Sequence, residues 1–156
     1  MKQRRRLLLI LFMAGIVAVD QGTKALTRAK LPYGAQTPLL PGVLGLTYVR
    51  NSGAAFSVLP GARWFFLALV VVFFLAGIYL IRRKIFTAPF ELWCLAAIGG
   101  GALGNAVDRA IWGEVTDMIE PLFMCFAVFN VADIFITCGA VALMVYVVFF
   151  ENFQSL

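Results

Sequence analysis

The chain has 156 residues, of which 62% are hydrophobic and 13% are charged, and it carries a formal net charge of +5. Its mean hydropathy of +0.93 is far too high for a soluble domain of this length, so the composition predicts an integral membrane protein. It contains no histidine, which excludes a zinc peptidase of the His-Glu-x-x-His type and a Ser-His-Asp hydrolase.

Four apolar segments are predicted to span the membrane as helices, since roughly 20 apolar residues cross a hydrocarbon core of ~30 Å. They cover residues 7–26, 64–81, 90–107 and 131–150. The first follows a basic stretch and its unbroken apolar run has the length typical of a signal peptide, so a cleavable signal peptide is the alternative for this segment. No small-x-small cleavage site stands clearly after the run, and we therefore predict a single four-helix domain over residues 1–156.

Basic residues predict the orientation of these spans, because they are enriched in cytoplasmic loops. Clusters stand before the first span (Lys2, Arg4, Arg5 and Arg6) and after the second (Arg82, Arg83 and Lys84). Both termini are therefore predicted to be cytoplasmic, and residues 27–62 and 108–130 to share the extracytoplasmic side. Most basic residues flank spans and can meet anionic lipid headgroups there. Membrane lipids are therefore the expected electrostatic partner, and no nucleic-acid partner is expected.

The long loop of residues 27–62 is bounded by prolines and glycines and runs into "VLGLTYVRNSGAAFSVL". Its threonine, tyrosine and valine content predicts short strands in a small extracytoplasmic sheet. Within "RNSGAAF", the small residues predict a tight turn or a close backbone approach, and Asn51 offers both donors and an acceptor. An ordinary surface turn is the alternative interpretation.

The third span ends in "GGGALGNAVDR", whose glycines predict close packing against neighbouring helices. If the helix continues past residue 107, Asn105, Asp108 and Arg109 share one face, because they stand at positions i, i+3 and i+4. A structural ion pair between Asp108 and Arg109 is the simpler alternative for these two residues.

Asp117 in "VTDMI" and Asp133 in "FNVADIF" are the strongest functional candidates, because an ionised side chain beside hydrocarbon is costly unless it is paired, hydrated or functional. Asn130 and Asp133 alone also fit a helix N-cap and its N3 acid. Two carboxylates held close together share a proton, so one serves as a base and the other as an acid. An aspartic peptidase works in this way: the base activates water and the acid protonates the scissile carbonyl.

Two other functions remain open from the residues alone. Acidic residues of a membrane protein also form proton relays, as in a small proton-coupled transporter or channel subunit. A serine–lysine peptidase is a further alternative, because Lys24 and Ser52 or Ser57 are predicted to share one compartment. The acids gather at one membrane face, whereas a conduction path needs polar residues across the membrane.

The motifs "VDQGTK", "VRNSGAAFSVL", "GGALGNAVDRAIWGEVTDMI" and "VFNVAD" follow one another along the chain. In order and spacing they resemble the motif set of bacterial lipoprotein signal peptidase, also called signal peptidase II, over essentially the whole chain. The resemblance implies a mainly α-helical, inner-membrane aspartic endopeptidase with four transmembrane helices and a small extracytoplasmic β-cradle. It also implies cleavage of prolipoproteins before the diacylglyceryl-modified cysteine, at the extracytoplasmic face, and sensitivity to globomycin.

By the same resemblance, Asp117 and Asp133 match the catalytic pair of the family. Residues that line or support that site are matched by Asn51, Asn105, Arg109, Asn130, Asp108, Asp20 and Lys24. Met118 stands where the family often has phenylalanine, which is expected to affect substrate preference and not the chemistry. No cofactor or metal is implied, and we expect a monomer.

Trp64 and Trp112 fall near the predicted outer membrane boundary, where amphipathic rings are expected to anchor the helices. Cys94, Cys125 and Cys138 lie mostly in apolar sequence without metal-ligand spacing. We interpret these cysteines as small packing residues.

Overall fold

Long helices and a small sheet make up the computed structural model, which describes residues 3–53 and 58–151. The helices are α1 (Gln3–Lys30), α2 (Arg63–Arg82), α3 (Pro89–Trp112) and α4 (Val131–Tyr146), which a π-helical segment, Val147–Glu151, continues. All 4 are long and apolar enough to cross a membrane, α4 together with its continuation. The prediction of four spanning helices is confirmed. Of the residues used above, Lys2, Ser57 and residues 54–56 lie outside the described ranges.

The first helix is a packed member of the bundle. Its buried residues are Leu9, Ile16, Asp20, Lys24 and Thr27. They recur at spacings of three, four or seven positions and so follow one helical face. Because this face packs against α3 and α4, the first segment is a structural helix, and the signal-peptide alternative is not supported.

Two helices extend beyond the predicted spans because their last turns carry polar residues that bind inside the protein. α1 continues to Lys30 and α3 continues to Trp112. Asp108 and Arg109 therefore belong to α3, whereas the sequence placed them in the connection of residues 108–130. The helix continuation needed to bring Asn105, Asp108 and Arg109 onto one face is present.

Helix α3 lies at the centre of the bundle because its glycines let the other helices approach closely. A Cβ atom at Gly99 would lie 3.2 Å from the Phe74 ring of α2, and one at Gly100 would lie 3.0 Å from Ile16 of α1. A Cβ atom at Gly101 would lie 2.8 Å from the Ile136 side chain of α4. The predicted role of these glycines in helix packing is confirmed.

An antiparallel sheet covers one end of the bundle, with the strand order β1–β2–β3. Its strands are β1 (Gln36–Leu40), β2 (Leu44–Asn51) and β3 (Val115–Pro121). The first two were predicted in the loop of residues 27–62, but the third comes from the connection between α3 and α4. β3 pairs with β2 in a register that sets Asp117 opposite Val49. This pairing places one of the two aspartates on a strand, which the sequence analysis missed.

Gly113 makes the tight link between α3 and β3. It adopts a left-handed conformation with φ of 81°, and its N–H donates to the Arg109 carbonyl at 3.1 Å. Glycine reaches this backbone region without the steric cost that a side chain imposes. The short link brings Asp117 back beside the helix that carries Asn105.

Trp64 and Trp112 are exposed at the start of α2 and the end of α3, as an interfacial anchor requires. Cys94 is buried, in agreement with a packing role, but Cys125 and Cys138 are exposed. The packing interpretation is therefore wrong for these two cysteines, because apolar sequence context alone does not distinguish a core position from one facing lipid.

Candidate active site

The candidate site lies where α1, α3 and α4 meet the sheet. It contains Asp20, Lys24, Asp108 and Asn130, which are fully buried although they are charged or polar. Burial of such groups is costly unless they are paired and hydrogen-bonded. The structure brings together all the residues proposed from the sequence, namely Asp20, Lys24, Asn51, Asn105, Asp108, Arg109, Asp117, Asn130 and Asp133.

Asp117 projects from β3 and is only 3% exposed. Its Oδ1 accepts a hydrogen bond from Asn130 Nδ2 at 2.6 Å, and its Oδ2 accepts one from Asn51 Nδ2 at 3.1 Å. Burial, followed by the nearby charge of Asp133, raises the pKa of Asp117 to about 7. Asp117 can therefore hold a proton at neutral pH.

Asp133 occupies the first turn of α4. Its Oδ1 accepts from Asn105 Nδ2 at 2.7 Å, and its Oδ2 accepts from the Asn130 backbone N–H at 3.1 Å. In return, Asn130 Oδ1 accepts from the Asp133 N–H at 3.0 Å, which completes a capping box. The predicted capping role is thus present, and Asp133 lines the same cavity as Asp117.

Three asparagine amides aim their N–H groups at the aspartates, and other contacts fix their orientation. Asn105 Oδ1 accepts from the Lys24 ammonium at 2.8 Å and from Asn130 Nδ2 at 3.1 Å, so Asn105 Nδ2 is left for Asp133. Asn51 Oδ1 accepts from the Gly53 N–H at 2.9 Å, which turns its Nδ2 toward Asp117. The lysine ammonium and the backbone N–H can only donate, so they must face the amide oxygens of Asn105 and Asn51. The amide N–H groups of these asparagines are therefore left to face the carboxyl groups.

Ion pairs within α1 and between α1 and α3 fix the start of α4, the helix that carries Asp133. Lys24 Nζ lies 2.8 Å from Asp20 Oδ2 and 3.6 Å from Asp108 Oδ2. The other oxygen of Asp20 accepts from the Ala132 N–H at 2.9 Å, at the first turn of α4. A buried ion pair that also satisfies a free N–H at a helix start holds that start in position.

Asp108 fixes the position of the strand residue beside Asp117. Its Oδ2 accepts from the Thr116 N–H at 2.8 Å, one residue before Asp117. Its Oδ1 lies 3.6 Å from the Arg28 guanidinium. The alternative ion pair between Asp108 and Arg109 is not the arrangement observed, since Asp108 pairs with lysine and arginine of α1 instead.

Arg109 holds the loop that follows β2. Its Nη2 donates to the Gly53 carbonyl at 2.7 Å, and its guanidinium lies 4.5 Å from the centroid of the Phe66 ring on α2. Asn51 caps the same turn through Gly53. The described part of "RNSGAAF", which ends at Gly53, therefore presents Asn51 to Asp117.

Sequence reasoning missed three residues of this network. Gln21 donates to Asp20, to Asp108 and to the Gly104 carbonyl. Arg28 and Thr116 contact each other at 2.9 Å and both bind Asp108. Gln21 stands inside the motif "VDQGTK" and Thr116 inside "VTDMI", so both motifs offered a signal, whereas nothing local marks Arg28.

A cavity of about 540 Å³ opens onto both aspartates. Its polar wall is formed by Asn51, Asn105 and Arg109, and its apolar wall includes Phe66, Phe126, Val128, Phe129, Ile134 and Ile136. The cavity can hold a polar backbone beside the carboxyl groups and apolar groups along the wall. In the described ranges no group of three or more potential ligands among histidine, cysteine, aspartate and glutamate is arranged to hold a metal.

Lys24 does not fit the serine–lysine alternative. Its ammonium is fully buried and engaged with Asp20 and Asn105, whereas a catalytic lysine must offer a neutral amine to a serine. Among the residues that the structure describes, the buried polar groups also cluster at one end of the bundle, with Glu91 as the buried charged group at the other. This distribution does not favour the conduction path of a transporter or channel.

Comparison with known proteins agrees with the site. Residues 12–149 match the family described as signal peptidase (SPase) II. A lipoprotein signal peptidase of Streptococcus pyogenes is 37% identical over 145 residues, which is 93% of each chain. One of Enterococcus faecalis is 36% identical, over 94% of this chain and 92% of the relative.

Two solved structures have the same fold. Both are described as bacterial membrane enzymes studied by the in meso method. One, at 2.3 Å resolution, superposes with a TM-score of 0.84 at 30% identity, covering 90% of this chain and 87% of the other. The second, at 1.9 Å resolution, has a TM-score of 0.82 at 29% identity, covering 91% of this chain and 93% of the other.

Proposed function

The chain belongs to the signal peptidase II family of membrane lipoprotein signal peptidases, an aspartic peptidase family, and on that premise we propose that Asp117 and Asp133 are its catalytic pair. The observation that carries the proposal is that both carboxyl groups line one cavity and each receives two hydrogen-bond donors. Donors of this kind orient a carboxyl group without adding a competing charge.

Asp133 is assigned as the base and Asp117 as the acid. Asp133 lies in the first turn of α4, where the positive end of the helix dipole favours a carboxylate. Asp117 lies on a strand, and its raised pKa of about 7 leaves it partly protonated at neutral pH. In this assignment the resting site holds one proton, on Asp117, while Asp133 is ionised.

The reaction follows from this assignment. Asp133 takes a proton from water as the water oxygen bonds to the scissile carbonyl carbon, and Asp117 gives its proton to the carbonyl oxygen. The resulting gem-diol collapses as the C–N bond breaks. Asp133 then transfers its proton to the departing amine and Asp117 recovers one from the gem-diol, which restores both groups.

The substrates are diacylglyceryl-modified prolipoproteins, cut before the lipidated cysteine. The apolar wall of the cavity, with Phe66 and Phe129, suits a signal peptide and acyl chains that arrive from the bilayer, while Arg109 and Asn51 face polar peptide groups. In lipid, apolar contacts discriminate little, so specificity belongs to these polar contacts. Globomycin is expected to inhibit the enzyme.

The enzyme is a multi-pass protein of the bacterial inner membrane, and we assign the aspartates to its extracytoplasmic face. The basic clusters Arg4–Arg6 and Arg82–Lys84 lie at the opposite end of the bundle, near the start of α1 and the end of α2. Since basic residues favour the cytoplasm, both termini lie there. We expect the monomer to be active, because both aspartates belong to one chain.

Cleavage of a purified diacylglyceryl-modified prolipoprotein, followed as a gel shift, tests the catalytic pair. Asp117→Asn and Asp133→Asn should each abolish turnover while substrate still co-purifies with the protein. Glu120→Gln, on the same strand as Asp117 but outside the cavity, should cleave normally. Near-normal turnover by either folded aspartate variant would show that the aspartic assignment is wrong.

A further inference from the structure

A second cavity lies at the end of the bundle opposite the aspartates. It has a volume of about 400 Å³ and is formed between α1 and α2, with α3 behind it. Helix α2 packs on α3, and none of its residues is buried. The groove beside it therefore faces the hydrocarbon region of the bilayer. We call it the α1–α2 groove.

The walls of the α1–α2 groove are apolar. Met13 of α1, Phe74 and Ile78 of α2 and Leu95 of α3 are among its lining residues. Gly77 widens it, since a Cβ atom at this position would have nothing within 4 Å. Water does not fill an apolar groove of this kind inside a membrane, so an apolar group occupies it.

One end of the α1–α2 groove carries a positive charge. Arg6 lines it, and Ile81, which also lines it, is followed directly by Arg82. Glu91, the acid at this end of α3, does not line the groove, and its Oε2 accepts from the Thr87 and Ala88 N–H groups. An arginine at the mouth of an apolar groove complements a lipid phosphate above an acyl chain.

We propose that the α1–α2 groove binds an anionic membrane phospholipid, with an acyl chain between α1 and α2 and the phosphate at Arg6. Charge argues against a second copy of the chain as the occupant. A copy inserted in the same orientation would bring its own Arg4–Arg6 cluster to the same membrane face, and like charges would repel.

Native mass spectrometry of the purified protein, after delipidation in detergent, tests the site. The probes are phosphatidylglycerol and phosphatidylcholine with identical acyl chains. Wild type should retain one phosphatidylglycerol more tightly than phosphatidylcholine, and Arg6→Gln should weaken phosphatidylglycerol retention about fivefold. Gly77→Leu, which fills the groove, should lose retention of both lipids.

Matched controls separate the groove from general effects of charge and size. Arg4→Gln removes a nearby exposed arginine, and Gly15→Leu introduces the same large side chain at a glycine of α1 that also has open space around it. Neither residue lines the groove. Both controls should retain lipid as wild type does, and normal prolipoprotein cleavage by every variant establishes that each is folded. Equal losses for Arg6→Gln and Arg4→Gln, equal losses for Gly77→Leu and Gly15→Leu, or a dimer that Gly77→Leu dissociates would each overturn the proposal.

Discussion

Replacing Asp117 with asparagine is expected to change how the stability of the protein depends on pH. In the folded protein the pKa of Asp117 is raised from its ordinary value of 3.8 to about 7, chiefly by burial. Between these two values the unfolded chain has released this proton while the folded chain still holds it. Wild-type stability therefore falls as pH rises through this window and levels off above about pH 7.

The size of the effect follows from the pKa difference. Each pKa unit corresponds to about 1.4 kcal/mol, so a rise from 3.8 to about 7 corresponds to about 4 kcal/mol. For a chain of this length, 1 kcal/mol shifts Tm by about 2–4 °C. The amide that replaces the carboxyl group also turns one N–H toward the donors of Asn51 or Asn130, which costs about 1–3 kcal/mol at every pH. That constant cost lowers the whole curve of the variant without changing its slope.

Thermal unfolding in detergent between about pH 5 and pH 8 measures this difference. The Tm of Asp117→Asn minus that of wild type should rise by about 5–10 °C across the range, because part of the window lies below pH 5. Glu120→Gln is the control on the same strand. Hydrogen bonds from Thr47 and Gln36 lower the pKa of Glu120, so its stabilising charge is lost only as pH falls below this range.

The reasoning would be refuted if the Tm difference between Asp117→Asn and wild type changed by less than about 1 °C between about pH 5 and pH 8. That result would mean that Asp117 ionises in the folded protein as easily as it does in the unfolded chain. The assignment of Asp117 as the acid would then also be wrong. A slope change of the same size in Glu120→Gln would show that the effect is not specific to the cavity.

Three further predictions concern activity and packing. Cleavage by wild type should fall above about pH 7, by up to tenfold per pH unit, because Asp117 must be protonated; a flat profile to about pH 9 would exclude it as the acid. Gly104→Ala places a Cβ atom 2.6 Å from Asp20 Oδ2 and should cost about 1–3 kcal/mol in unfolding measurements, whereas Gly22→Ala, in open space, should not destabilise. Arg109→Lys should lower kcat/KM by about ten- to a hundred-fold through loss of the hydrogen bond to the loop after β2, and steady-state kinetics that match wild type would contradict this.

The extent of each helix shows where local sequence information ends. Apolar runs predicted the four spans, because lipid solvates every side of such a helix except the packed face. They did not predict the last turns of α1 and α3, where Arg28 and Asp108 contact each other instead of lipid. A polar residue ends a hydropathy pattern whether it meets water or a buried partner.

The sheet shows the same division. Strands β1 and β2 were predicted from their own residues and turns, whereas β3 exists through its pairing with β2. The segment "VTDMIEP" contains two acids and a proline, so its composition is a poor strand signal. Only the paired strand places Asp117 within reach of Asn51.

The sequence by itself determined the membrane setting, the four helices and the candidate residues of the site, because apolar length, basic flanks and ordered motifs are local properties. Only the tertiary structure decided which atoms those residues use. Asn51 reaches Asp117 across 66 positions, and the Ala132 N–H reaches Asp20 across 112. Such hydrogen bonds arise from helix and strand packing, so no local pattern encodes them, and they decide that the two aspartates face one cavity with their donors already in place.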